Sequence, residues 1–136
     1  MKSSLVIMIS LPFLIGMVPS RAVMILDAIE QVESGGVSDF VSDKGRKVGI
    51  LQIDCDFVDD VNKIINSHAY EYSDRTSVRK SREMFLIWHD YWCNRRGDWS
   101  NKGIALRNAG GPNGTDSCRH LPYWRMVRIK LSRGSI

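Results

Sequence analysis

Apolar residues fall along this chain as one unbroken run followed by five blocks at helical spacing. The run comes first. Leu5 to Val18 is almost wholly apolar over 14 residues, behind Lys2 and ahead of Pro19, Ser20, Arg21 and Ala22. A positive start, an apolar centre and a polar exit with small residues at 20 and 22 describe a secretory leader cut after Ala22. The run is shorter than the ~18 to 20 residues a spanning helix requires, and it contains Pro12, which argues against an uncut anchor. No second such run follows. Residues 1–22 are therefore expected to be a signal peptide and residues 23–136 one soluble domain. That domain would be secreted or periplasmic, with no stable membrane insertion after cleavage.

The remaining blocks predict the elements. In Val23–Val32, Ile25, Leu26, Ala28, Ile29 and Val32 share one helical face, and Ser34, Gly35 and Gly36 stop the helix. Val37–Ile53 mixes apolar and polar residues around Gly45 and Gly49, as a loop with short strands or a hairpin would. Asp54 or Asp56 can cap a second helix carrying Phe57, Val58, Val61, Ile64 and Ile65. A polar link runs to about Thr76. Ser77–Trp92 is the longest predicted helix, with Val78, Met84, Phe85, Trp88 and Tyr91 supplying most of its buried face. After a turn-rich break over Asn94–Ser100, a short helix spans Asn101–Arg107 and ends in Asn108, Ala109, Gly110 and Gly111. Pro122 suits the first position of a last helix bearing Trp124, Val127 and Leu131. The fold class is α+β and mainly helical, with one small extended region.

Charge and cysteines add little to this picture. The chain has 19 Lys and Arg against 15 Asp and Glu, a net +4 that falls to +2 without Lys2 and Arg21. The excess lies at the end: no acid follows Asp116, while Arg119, Arg125, Arg128, Lys130 and Arg133 do. Such a face suits an anionic polymer as well as it suits solvent. The aromatics do not interleave with the arginines as base-stacking platforms would, so nucleic acid is not expected as a partner. Cys55, Cys93 and Cys118 permit one disulfide, with Cys93–Cys118 preferred because both flank one loop region. His68, His89 and His120 could join the cysteines around zinc, and His89 and Cys93 sit at i, i+4 spacing, but no compact CxxC or HxxxH pair appears, so no metal and no cofactor are expected.

Glu33 is the candidate for chemistry. It lies four residues after Ile29 and seven after Leu26, on the apolar face of the first helix. It also sits at the helix C-terminus, where the backbone dipole is negative. Desolvation and that dipole both disfavour a carboxylate and raise its pKa, as a glycosidic general acid requires. Glu30, one turn earlier and nearer the rim of the apolar face, serves as the internal comparison.

Four blocks of the sequence, in order, resemble the lysozyme-like lytic transglycosylases, a superfamily that includes goose-type lysozymes. Ala28-Ile-Glu-Gln-Val-Glu33-Ser34-Gly35-Gly36 resembles that family's helix ending in a Glu-Ser pair, whose Glu is the catalytic acid. Gly49-Ile50-Leu51-Gln52-Ile53 is similar to its Gly-Leu-Met-Gln-Ile segment. Ala105-Leu106-Arg107-Asn108-Ala109-Gly110-Gly111-Pro112 is similar to its Ala-Tyr-Asn-Ala-Gly motif, and Tyr123-Trp124-Arg125-Met126-Val127 to its late Tyr-Val-x-x-Val helix start. Arg107 departs from the pattern, which usually has an aromatic residue there. A second register would set Ala109 where the Asn belongs; the ungapped one selects Asn108.

The resemblance implies a lysozyme-like domain that acts as an enzyme on peptidoglycan or a related N-acetylated glycan; a monomer is expected. It implies cleavage of the β-1,4 bond between N-acetylmuramic acid and N-acetylglucosamine. Glu33 would be general acid and then base, giving a 1,6-anhydro product. Gln52, Asn108 and Tyr123 would contact substrate. Of the aromatics, Trp88 and Trp124 fit core faces, and Trp99, in a polar turn, is the one expected to meet sugar. Asp43, Asp54 and Asp56 lie in the right region for a second carboxylate, but no motif marks any of them. A lysozyme-type hydrolase of the same bond is the alternative. A secreted glycan binder without catalysis is the alternative of another class, with Arg107 the feature that favours it. Asn113-Gly114-Thr115 is also an N-glycosylation sequon.

Overall fold

The computed structural model describes residues 21–134, and the expected leader lies outside them apart from its last two residues. The chain forms five α-helices and one two-stranded antiparallel sheet among the described residues. The elements are α1 (Arg21–Ser34), β1 (Val41–Ser42), β2 (Lys47–Val48), α2 (Cys55–Ile65), α3 (Val78–Arg96), α4 (Asn101–Gly110) and α5 (Leu121–Arg133). The mainly helical α+β class stands. No helix among them is long and apolar enough to cross a membrane.

Local chemistry sets most boundaries. α1 begins two residues before the apolar pattern predicts, and Ala22, at the expected cleavage point, is buried with Ile25 and Ile29. It ends where Gly35 and Gly36 take positive φ values of 66° and 83°. Asp54 caps α2, accepting from the Phe57 N–H at 2.9 Å. Ser77 caps α3. α3 outruns its predicted end at Trp92 by a full turn, because nothing between Trp92 and Arg96 breaks a helix. It stops only at Gly97, in the left-handed conformation. Its buried face also differs from expectation. Ser81, His89 and Cys93 are buried with Met84, Phe85 and Trp88, whereas Val78 is exposed and Tyr91 only half-buried. α4 carries its helical geometry through Asn108 to Gly110.

The core lies between α1, α3 and α4, with Val58 and Val61 of α2 and Val127 of α5 closing it. The hairpin β1–β2 pairs Val41 with Val48 and Ser42 with Lys47. Beyond it, Gly49 is fixed by two constraints. Its φ is +88°, and a Cβ there would stand 1.9 Å from the Arg75 carbonyl oxygen. Arg75 in turn donates from Nη1 to the Arg46 and Ile53 carbonyls, at 3.2 and 3.3 Å, tying the hairpin to the segment before α3.

Candidate active site

The site begins where α1 meets the chain after the hairpin. Ser34 Oγ donates to the Ile50 carbonyl at 2.7 Å. This bond holds the end of α1, and with it Glu33, against Gly49–Ile53. The serine after the glutamate therefore has a local structural task.

Three helices then converge on one carboxylate oxygen. Tyr123, in the first turn of α5, donates from its hydroxyl to Glu33 Oε1 at 2.6 Å. Asn108, in the last turn of α4, donates from Nδ2 to the same oxygen at 3.1 Å and to the Tyr123 hydroxyl at 2.9 Å. Asn108, not Ala109, is the residue that reaches the acid. Burial raises the Glu33 pKa above the ordinary 4.5. The Tyr123 hydrogen bond, the Lys47 charge and the Asn108 hydrogen bond oppose burial without cancelling it. Burial and the neighbouring Glu33 also push the Tyr123 phenol upward, so it stays a proton donor.

Glu30 provides a contrast. It is buried (5% exposed) rather than near a rim, yet Arg82 neutralises it through Nε at 2.6 Å and Nη2 at 2.8 Å. Glu30 is thus taken up by a charged, bidentate partner, whereas the donors at Glu33 Oε1 among the described residues are the neutral Tyr123 and Asn108.

Glu33 opens into a cleft of about 220 Å³. Lys47, Leu51 and Gln52 line it from the hairpin side, and Asp54, the α2 cap, with Asp56, Phe57 and Asp60 of α2 from the other. Phe57 packs against Trp88 with ring centroids 5.4 Å apart, giving the cleft an aromatic floor. The periodicity had assigned Phe57 and Trp88 to helix cores, and only the fold reveals that they also border a cavity. Lys47 and Asp60 carried no sequence signal.

Several expectations change. Gln52 lines the cleft, but its polar atoms are engaged within the hairpin. Nε2 donates to the Phe40 and Gly49 carbonyls, both at 2.8 Å, and Oε1 accepts from Ser42. With φ at +50°, Gln52 braces the loop rather than presenting a free amide. Trp99 does not line the cleft; it packs half-buried against the core. Cys93 is fully buried against Arg107, Cys118 is exposed, and all three cysteines are free thiols, so the preferred disulfide is not formed.

Arg107 is fully buried, with its guanidinium directed at the junction of α3 and α4. It meets Asp98 Oδ2 at 3.1 Å, the Asp98 carbonyl at 2.7 Å and Cys93 Sγ at 3.2 Å. Arg107 also borders the cleft, while its Nη1 and Nη2 are taken up by Asp98 and Cys93. Asp43 pairs with Arg46 at 2.6 Å outside the cleft. Asp54 has one oxygen in the α2 cap and the other 3.8 Å from Lys47 Nζ. At the sequon, the Asn113 side-chain oxygen accepts from Arg96. Among the described residues no group of three or more His, Cys, Asp or Glu could hold a metal ion.

Chemically, the arrangement is a carboxyl group with two neutral donors on Oε1, which leaves Oε2 to carry the proton of the acid form. The same donors would stabilise the carboxylate left behind once that proton departs. No protein-family model matches the chain, and no curated protein or solved structure matches it either.

Proposed function

We propose that the protein is a lysozyme-like lytic transglycosylase that cleaves peptidoglycan between N-acetylmuramic acid and N-acetylglucosamine. The observation that carries this reading is the convergence of Tyr123 and Asn108 on Oε1 of a desolvated Glu33 beside a cleft. Two of the three residues that the family resemblance pairs with the acid stand at hydrogen-bond distance from it. The third, Gln52, shapes the cleft wall.

In this reading Glu33 transfers its Oε2 proton to the glycosidic oxygen as the C1–O bond breaks. The substrate's own N-acetyl oxygen stabilises C1. Glu33, now a carboxylate held by Tyr123 and Asn108, takes the proton of the C6 hydroxyl as that oxygen bonds to C1. The proton returns to Glu33 and no water is consumed. The bonding of the Arg107 guanidinium to Asp98 and Cys93 supports this reading over a non-catalytic binder, because those bonds engage the group at the α3–α4 junction.

A hydrolase of the same bond is supported by one observation: Asp56 and Asp60 line the cleft with Glu33, where a second carboxylate could activate water. Mass spectrometry of the products from purified peptidoglycan separates the two. Anhydro-muropeptides, lighter by one water than hydrolysis products, are the expected result. Reducing-end products would establish the hydrolase, and the absence of any cleavage would overturn both.

A further inference from the structure

Behind the acid stands a histidine that the reaction does not touch. His89, on α3, is fully buried, and its Nε2 lies 3.2 Å from Asn108 Oδ1. Its ring packs on Phe85 and Trp88, with centroids 4.1 and 4.8 Å away. Its Nδ1 has no hydrogen-bond partner among the described residues.

Donors and acceptors alternate along this row. Tyr123 has one O–H, given to Glu33. The Tyr123 oxygen must therefore accept from Asn108, whose two Nδ2 hydrogens go to Tyr123 and Glu33. Asn108 is left with Oδ1 toward His89, and a carbonyl oxygen can only accept. His89 must then carry its hydrogen on Nε2.

We propose that His89 is a positioning residue for Glu33: by donating from Nε2 to Asn108 Oδ1, it locks the Asn108 amide with its N–H groups toward Glu33 and Tyr123. Turned over, the amide would set Oδ1 against Glu33 Oε1 and the Tyr123 oxygen, with one hydroxyl hydrogen between three acceptors. That orientation would oppose the carboxylate that forms when Glu33 gives up its proton. The inference deepens the proposed catalytic reading and rests on it for its meaning, though the proton placement is a property of the fold alone.

The electrostatics agree. Burial, with the Arg107 charge adding to it against the Asn108 hydrogen bond, lowers the His89 pKa from 6.5 to about 3, so the ring is neutral and has a single N–H to give. The titratable and charged groups around the row are Tyr123 from α5 and Lys47 from β2 at Glu33, and Arg107 from α4 at His89. Asp54, the α2 cap, and Asp56 and Asp60 of α2 line the same cleft as Glu33.

The test uses the full-length protein. Long-range proton–nitrogen NMR correlations read the His89 tautomer in the wild type, and carbon-detected titration reads the Glu33 carboxyl in wild type, His89→Leu and His89→Gln. The expected tautomer is Nε2–H. His89→Leu should shift the Glu33 titration upward, since the lowering contribution of the Asn108 N–H is lost, and His89→Gln, which keeps a donor, should restore it. On peptidoglycan, kcat should fall roughly tenfold or more in His89→Leu with little change in KM, and His89→Gln should recover most of it. A proton on Nδ1, a charged imidazole, or a Glu33 titration in His89→Leu equal to the wild type would overturn the proposal. If His89→Leu does not fold, the wild-type tautomer and the His89→Gln titration decide. Failure of the wild type to cleave glycan would sink the proposed function, while the tautomer and titration would still be read without substrate.

Discussion

Glu33 is a desolvated acid whose neighbours donate hydrogen bonds but bring no full positive charge into contact with it. Its folded pKa is raised, so the folded state binds more protons than the unfolded state as pH climbs above the ordinary value of 4.5. Stability from this group is fully present below that value and is lost as pH rises through the folded pKa. Glu33→Gln keeps the shape and the accepting oxygen but cannot ionise. Urea denaturation of wild type and Glu33→Gln should therefore show near-equal stability in acid and a growing advantage for the variant toward neutral pH. An advantage for the wild type at neutral pH would mean that the carboxylate, not the acid, is the form the site favours. In the sequence, the helix position of Glu33 pointed to a raised pKa, and burial is the cause that raises it, while its expected role came from the four motifs in order. Glu30 was harder to read. It was placed at a rim, yet it is buried, because Arg82 comes from α3 52 residues away and periodicity cannot foresee such a partner.

Arg107 shows the same limit at the scale of elements. Within its motif it looked like a residue for the sugar path. In the fold it joins α3 to α4, with Asp98 beyond the α3 terminus and Cys93 in the last turns of α3. Asp98 also accepts from Ser100, the α4 cap. Burial alone would raise the Asp98 pKa, but the Ser100 and Arg107 hydrogen bonds outweigh it and hold that carboxyl below its usual range. Removing a buried charge partner is costly because it strands the other charge and leaves a cavity, so Arg107→Ala should lose about 3 kcal/mol or more in urea denaturation. A loss under about 0.5 kcal/mol, typical of a free surface site, would contradict this anchoring role. Element starts were the most legible feature, since Asp54, Ser77 and Ser100 are capping residues placed just ahead of apolar periodicity. Element ends were less so. α3 passes its predicted stop and α4 carries Asn108 inside its last turn, because polar residues without glycine or proline do not halt a packed helix.

Across the whole molecule, helices distant in sequence bring single polar atoms together. Asn108 and Tyr123 lie 75 and 90 residues from Glu33, and His89 reaches the row from α3. Hydrophobic patterning predicted that these helices exist but not which of their faces meet; only the order of four short motifs suggested the meeting of Glu33, Asn108 and Tyr123. The basic excess sits on α5, where Arg125, Arg128 and Arg133 are exposed while Tyr123 turns inward to the acid, so one helix serves both the surface and the site. The account centres on Glu33, and the release of soluble muropeptides from purified peptidoglycan by wild type, Glu33→Gln and Glu30→Gln tests it most directly. Glu33→Gln should lose on the order of a hundredfold or more in rate, whereas Glu30→Gln, less stable without its Arg82 pair, should cleave at a rate within a few-fold of wild type when assayed below its melting point. Wild-type activity in Glu33→Gln, or a loss confined to Glu30→Gln, would contradict it.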